Sequence, residues 1–282
     1  MEAPGRCHGE AICSVFDGEV RMTGGEADRF TLMSAMKPFL LLRMLEWYGA
    51  EKVAEWVDDE PSGLPYYSLE QLQADGGKPR NAMINSGAML LASQLPGDGP
   101  VDQERLFCAW LKDLAPAAIL TLDEECFGEV MRRGADPTNL ALALQLEKGG
   151  RVEDAASAYE IYFRLCCLAG TIVDVARLGS GLAMAALHHR DPVLRTMSQC
   201  GLYEASAAWF AMTGLPAKSG VSGVMFGVWP GHGCVAVCSP WLDEGGNPLL
   251  PQAVLAALAK AFPVEGGDGP TELAGSSGSG PT

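Results

Sequence analysis

The strand signatures of this chain stand at its two ends, and that placement limits the folds open to it. Ala11-Ile12-Cys13-Ser14-Val15-Phe16 reads as a strand, Asp17-Gly18 as a hairpin turn and Glu19-Val20-Arg21-Met22 as the returning strand. Far downstream, Lys218-Ser219-Gly220-Val221 precedes residues 224–229, a turn at Pro230-Gly231-His232-Gly233, and residues 234–238, which make a second hairpin. Between them, residues 101–200 read as helices at about 101–113, 123–131, 138–148, 152–168, 171–187 and 192–200. Further helices are expected from Ser34 to near Gly49, over 82–95 and over 252–262. The apolar face of a sheet must be covered. The expected architecture is therefore α+β, with one sheet drawn from both chain ends and a helical domain inserted between them. In this division residues 1–33 and 201–262 supply the sheet domain and 34–200 the helical domain. Residues 263–282, rich in Gly, Ser and Pro, are expected to form a disordered tail.

With 282 residues, 48% of them apolar, the chain has ample material for a packed core. No apolar run reaches the roughly 18 residues of a membrane span, because Arg43, Arg164, Asp174 and Arg177 break the best candidates. Met1 to Arg6 lacks the apolar core of a secretion signal, so a cytoplasmic location is expected. The formal charge of −15 disfavours nucleic acid and anionic membranes, which select basic patches, and leaves a small molecule as the expected partner. Nine cysteines, at 7, 13, 108, 126, 166, 167, 200, 234 and 238, contain no C-x-x-C pair and are expected to be reduced and mostly buried. His8, His188, His189 and His232 lack metal-ligand spacing, and the adjacent pair is expected to face different sides of its element; no metal site is expected.

Chemistry gathers in Phe30-Thr31-Leu32-Met33-Ser34-Ala35-Met36-Lys37-Pro38-Phe39. A helix starting at Ser34 would put free backbone N–H groups beside its hydroxyl and Lys37 on the same face. A serine hydroxyl attacks only when a base takes its proton, and a lysine is a base only when desolvation or a neighbouring cation makes it neutral. Phe30, Leu32, Met36, Phe39 and Leu40 could form the apolar wall; the competing reading is an N-cap serine and a surface lysine. Asn85-Ser86-Gly87-Ala88 opens the next helix with residues of low helix propensity, which fits a polar task or a close crossing equally well. Tyr162 falls into a helical core pattern with Tyr159 and Cys166, and Tyr203 at a helix end. Lys218, leading a strand of small residues, is expected to add positive potential to a pocket.

These phrases together resemble the serine-dependent glutaminase family, which shares the β-lactamase and transpeptidase fold. The resemblance rests on Ser34-Ala35-Met36-Lys37, Glu60-Pro61-Ser62-Gly63, Pro79-Arg80-Asn81-Ala82-Met83-Ile84-Asn85-Ser86-Gly87-Ala88, Tyr162-Phe163-Arg164-Leu165-Cys166, Cys200-Gly201-Leu202-Tyr203, Gly214-Leu215-Pro216-Ala217-Lys218-Ser219-Gly220-Val221 and Ser239-Pro240-Trp241-Leu242-Asp243-Glu244, in the family's order. It implies hydrolysis of L-glutamine to L-glutamate and ammonia, without a cofactor, by a homo-oligomer. It also implies Ser34 as nucleophile, Lys37 as its base and Tyr162 as a second proton-transfer group. Asn85, Glu129, Asn139 and Tyr203 would hold the amino-acid head, and the N–H groups of Ser34 and Val221 would form an oxyanion hole.

The chain also departs from the family's pattern. The glutamate is placed seven residues before the asparagine, where this chain has Arg132; Glu129 lies ten before Asn139. Arg132 in that place would repel an α-ammonium, whereas an insertion within 132–137 would restore Glu129. A Tyr-Ile-Pro phrase of the family's front segment has no counterpart. Met33, Ser222-Gly223-Val224 and Asn247-Pro248 replace family residues. Two other functions therefore stand beside the first: another serine amidase or esterase on this scaffold, and a non-catalytic amino-acid-binding homologue.

Overall fold

The computed structural model describes residues 5–25, 28–132 and 136–264. The two terminal hairpins do meet. β1 (Ala11–Phe16) and β2 (Glu19–Gly24) turn at Asp17 and Gly18, with φ of 52° and 79°, the positive values that an Asp-Gly hairpin turn requires. β1 then pairs antiparallel with β8 (Gly233–Cys238), in a register running from Ala11 opposite Cys238 to Phe16 opposite Gly233. β6 (Ala217–Ser219) and β7 (Val224–Trp229) complete a five-stranded antiparallel sheet ordered β2-β1-β8-β7-β6. The α+β architecture with a sheet from both chain ends is thus present.

Strand alternation divides the core between the two faces of this sheet. Cys13, Val15, Cys234, Ala236 and Cys238 face one core, and Val235 and Val237 face another with Leu202, Trp209, Leu215 and Leu255. α8 (Ile172–Met184) covers the first face, although it belongs to the stretch expected as a separate helical domain. Gly179 permits the contact: a Cβ there would meet the Cys234 Sγ at 2.2 Å. α10 (Ser206–Thr213) and α11 (Leu249–Ala261) close the second face.

Beyond α8 the helical block holds α1 (Lys37–Trp56), α2 (Leu69–Ala74), α3 (Asn85–Ser93), α4 (Pro100–Leu114), α5 (Glu124–Arg132), α6 (Pro137–Lys148), α7 (Ala155–Cys166) and α9 (Leu187–Cys200). A small sheet ordered β3-β5-β4, from Phe30–Thr31, Leu168–Gly170 and Thr121–Leu122, splits the expected run of helices near residue 168. α1 does not stop at Gly49. The chain kinks there at φ 76°, open to a residue without a Cβ, and resumes helix to Trp56. His188 and His189, expected on different sides, instead place their ring centroids 3.9 Å apart in the first turn of α9, where adjacent residues are only about 100° apart around the helix axis.

Eight of the nine cysteines are buried and Cys108 is half-buried. Among the described residues no helix is long and apolar enough to cross a membrane. Most of the expected tail, residues 265–282, lies outside the described residues.

Candidate active site

Ser34 does not open an α-helix. It sits in a 3-10 turn, Met33–Met36, from which α1 continues at Lys37. Met33 immediately before it has φ 46°, a left-handed conformation that costs a non-glycine residue about 1–3 kcal/mol. Flanking bonds hold it: Leu32 N–H donates to the Leu168 carbonyl at 2.8 Å and Thr31 N–H to the Gly5 carbonyl at 2.9 Å. The serine is left 6% exposed at the floor of a cavity of about 370 Å³, a volume suited to one small molecule.

Lys37 is fully buried behind the serine. Its Nζ donates to the Met83 carbonyl at 2.9 Å and to Asn85 Oδ1 at 2.8 Å. Burial in this apolar setting lowers its pKa from 10.5 to about 8, with the nearby Cys166 thiol opposing part of the shift. A surface lysine is therefore excluded, and this ammonium gives up its proton far more readily than an exposed one.

Asn85 is the junction of the site. Its Oδ1 accepts from Lys37 and from the Tyr162 hydroxyl, the latter at 3.0 Å, and its Nδ2 donates to Asn139 Oδ1 at 2.9 Å. The loop ahead of α3 aims it. Asn81 Oδ1 accepts the N–H groups of Met83 and Ile84 at 2.9 and 3.1 Å, while Asn81 Nδ2 donates to the Glu60 carbonyl at 2.7 Å. Gly87 completes that turn, since a Cβ there would lie 1.9 Å from the Asn81 carbonyl oxygen. The low-propensity opening of α3 thus serves both a polar task and a close approach.

Tyr162, on α7, is buried, which pushes its phenol well above the usual range. It stays protonated and can donate. Tyr203 has φ 54° and stacks on Tyr66 with ring centroids 4.3 Å apart. Among the described residues its buried hydroxyl has no partner in hydrogen-bond geometry. Burial raises that phenol as well, and nearby Ser34 and Ser219 offset part of the rise. The hydroxyl therefore lies close to the Ser34 and Ser219 hydroxyls without a well-aligned bond to either. The Tyr66–Tyr203 pair walls the cavity off from a smaller cleft of about 160 Å³.

Val221 follows β6 and lines the cavity. Gly220 brings this backbone against the serine turn: a Cβ there would meet the Leu32 carbonyl oxygen at 2.9 Å and the Ala35 nitrogen at 3.4 Å. Among the described residues the Val221 N–H makes no backbone hydrogen bond, and it follows Gly220 where that residue's backbone lies against the serine turn. Lys218 departs from its expected role as a source of positive potential. It is fully buried and donates to the carbonyls of Gly201 and Ser219 at 2.9 and 2.7 Å; burial, then the charge of Lys37, lowers its pKa well below the usual value. It acts as a tie between α9 and β6.

Ser34, Asn85, Asn139, Tyr162 and Val221 line one cavity, with Lys37 buried behind them, whereas Tyr203 lines the smaller cleft and reaches the cavity only through its stacking on Tyr66. Glu129 and Arg132, both on α5, are not among the lining residues. Tyr66, Tyr67 and Asp136 do line it and carried no sequence signal. The two tyrosines follow Pro65 in a loop without periodicity, and Asp136 follows the irregular 132–137 stretch. A larger hollow of about 780 Å³, beside Phe16, Trp229 and Phe262, contains none of the candidate residues.

A sequence model of the family described as Glutaminase matches residues 2–265. A glutaminase of Synechocystis sp. is 42% identical over 243 residues, covering 84% of this chain and 74% of that protein. Among solved structures, a Bacillus glutaminase crystallised in 4.3 M NaCl superposes with a TM-score of 0.84 at 29% identity, covering 93% of each chain. The Bacillus subtilis glutaminase YbgJ, solved as a covalent complex with 5-oxo-L-norleucine formed by reaction with 6-diazo-5-oxo-L-norleucine, superposes with a TM-score of 0.78 at 26% identity, covering 91% of this chain and 88% of that one.

Proposed function

This chain belongs to the glutaminase family, has its β-lactamase-like fold and hydrolyses the side-chain amide of glutamine, and we propose that it does so through an acyl-enzyme on Ser34. The observation that carries this mechanism is Lys37: entirely buried, with its pKa lowered to about 8, and one turn after a nearly buried serine. The neutral lysine takes the Ser34 proton as Oγ attacks the carboxamide carbon. The N–H groups of Ser34 and Val221 receive the oxyanion, and losing one such donor costs typically about 3–4 kcal/mol of barrier.

Collapse of the tetrahedral intermediate expels ammonia, with the proton delivered from Lys37 or the Tyr162 phenol. Both groups share Asn85 Oδ1 as acceptor, which fixes their mutual orientation. Water then attacks the glutamyl ester through the same groups in reverse. Asn85, Asn139 and the Tyr203 hydroxyl hold the amino-acid head.

The test is ammonia release from L-glutamine, with L-asparagine and D-glutamine as comparisons. Ser34→Ala is expected to lose at least about 1,000-fold in kcat while still binding glutamine. 6-Diazo-5-oxo-L-norleucine is expected to expel N2 and leave a 5-oxo-norleucine adduct on the Ser34 peptide of the parent only. Parent-level turnover in Ser34→Ala would exclude the acyl-enzyme.

A further inference from the structure

Among the described residues that line the cavity, Asp136 is the single carboxylate. It is the N-cap of α6, and three bonds fix it. Oδ1 accepts the Thr138 N–H at 2.9 Å, Oδ2 accepts Asn139 Nδ2 at 3.1 Å, and its backbone N–H donates to the Tyr159 hydroxyl at 3.0 Å. Each carboxylate oxygen retains accepting capacity beyond these contacts. The negative charge is felt inside the cavity, where Asp136 adds to the groups that hold the Tyr66 phenol above its usual range, after burial, Tyr67 and Glu204.

The position is also right for the head of an amino acid. A run of hydrogen bonds leads from Asp136 to Asn139, from Asn139 to Asn85, and from Asn85 to both Lys37 and Tyr162. Ser34, where the carboxamide of the substrate belongs, lines the same cavity as Asp136, and the run ends at Asp136 on one side and at Lys37 and Tyr162 on the other. Arg132 is turned elsewhere, its Nε donating to the Gly128 carbonyl at 2.9 Å on its own helix.

We propose that Asp136 receives the α-ammonium of the substrate, in the role that the family resemblance gives to Glu129. The assignment rests on the glutaminase reading above. It explains how a chain whose glutamate is displaced relative to Asn139 still presents a carboxylate to a cationic head: the N-cap three residues before that asparagine does so.

Asp136→Asn isolates the charge, because asparagine caps a helix as well as aspartate does. The variant is assayed on glutamine and on glutaramate, which is glutamine without its α-amine. The expected result is a fall of about 10- to 100-fold in kcat/KM for glutamine, no change for glutaramate, and an unaltered melting temperature. Glu129→Gln is expected to keep the parent's preference for glutamine over glutaramate. An equal fall on both substrates would reduce Asp136 to a helix cap, and loss of the preference in Glu129→Gln alone would return the ammonium to Glu129; either result overturns the proposal. Calorimetric titration of Ser34→Ala, with and without Asp136→Asn, using glutamate and glutarate reads the same charge preference without turnover. Failure of the acyl-enzyme mechanism and failure of the Asp136 assignment are thereby told apart.

Discussion

At the scale of single residues, the proposed chemistry turns on the protonation of Lys37. Its pKa of about 8 sets the acid side of the activity profile. A lysine accepts the serine proton only after losing its own, so kcat/KM for glutamine should rise with pH and level off above about 8. Tyr162, pushed well above its usual range, remains protonated throughout that interval. Lys37→Arg keeps the charge at every pH and should abolish the rise together with the activity; a flat profile in the parent would remove Lys37 as the base. The Ser34 and Lys37 pairing was legible in the sequence because their spacing is local. What makes the lysine a base was not, since Met83 and Asn85 reach it from 46 and 48 residues away. Asp136 and Tyr66 were illegible for the same reason: each lines the cavity through tertiary placement, with no local pattern to mark it.

Among the elements, the two hairpins could be read directly because alternation and an Asp-Gly turn are properties of neighbouring residues. The small sheet could not: two- and three-residue strands such as Phe30–Thr31 and Leu168–Gly170 carry no period. The start of α1 was misjudged by one turn because the strained Met33 tightens the chain into a 3-10 turn before the helix begins. The close packing of α8 on the sheet yields a test that separates fold from chemistry. Gly179→Ala places a methyl group into Cys234, an overpacking that costs typically about 1–3 kcal/mol. Thermal unfolding should shift down by several degrees, while kcat/KM of the folded enzyme stays at the parent value because Gly179 does not line the cavity.

Across the whole molecule, the meeting of the chain ends followed from where the strand signatures lie, and pairing of β1 with β8 realises it. The place of α8 against that sheet was not readable, since a helical period says which face is apolar and not what will cover it. The same interior is rich in sulfur: Cys7, Cys13, Cys234 and Cys238 sit buried around the sheet, where burial raises the pKa of the Cys13 thiol to about 11 while the contact with Cys7 lowers that of Cys238, so that solvent access rather than acidity sets which thiol can react. Thiols so placed are nearly inert to an alkylating reagent while the protein is folded. The molecule thus carries its own stopwatch. Half-buried Cys108 should label first and the buried thiols later, and at iodoacetamide concentrations high enough that their rate no longer depends on the reagent, mass spectrometry reads the kinetic lifetime of the fold without a denaturant.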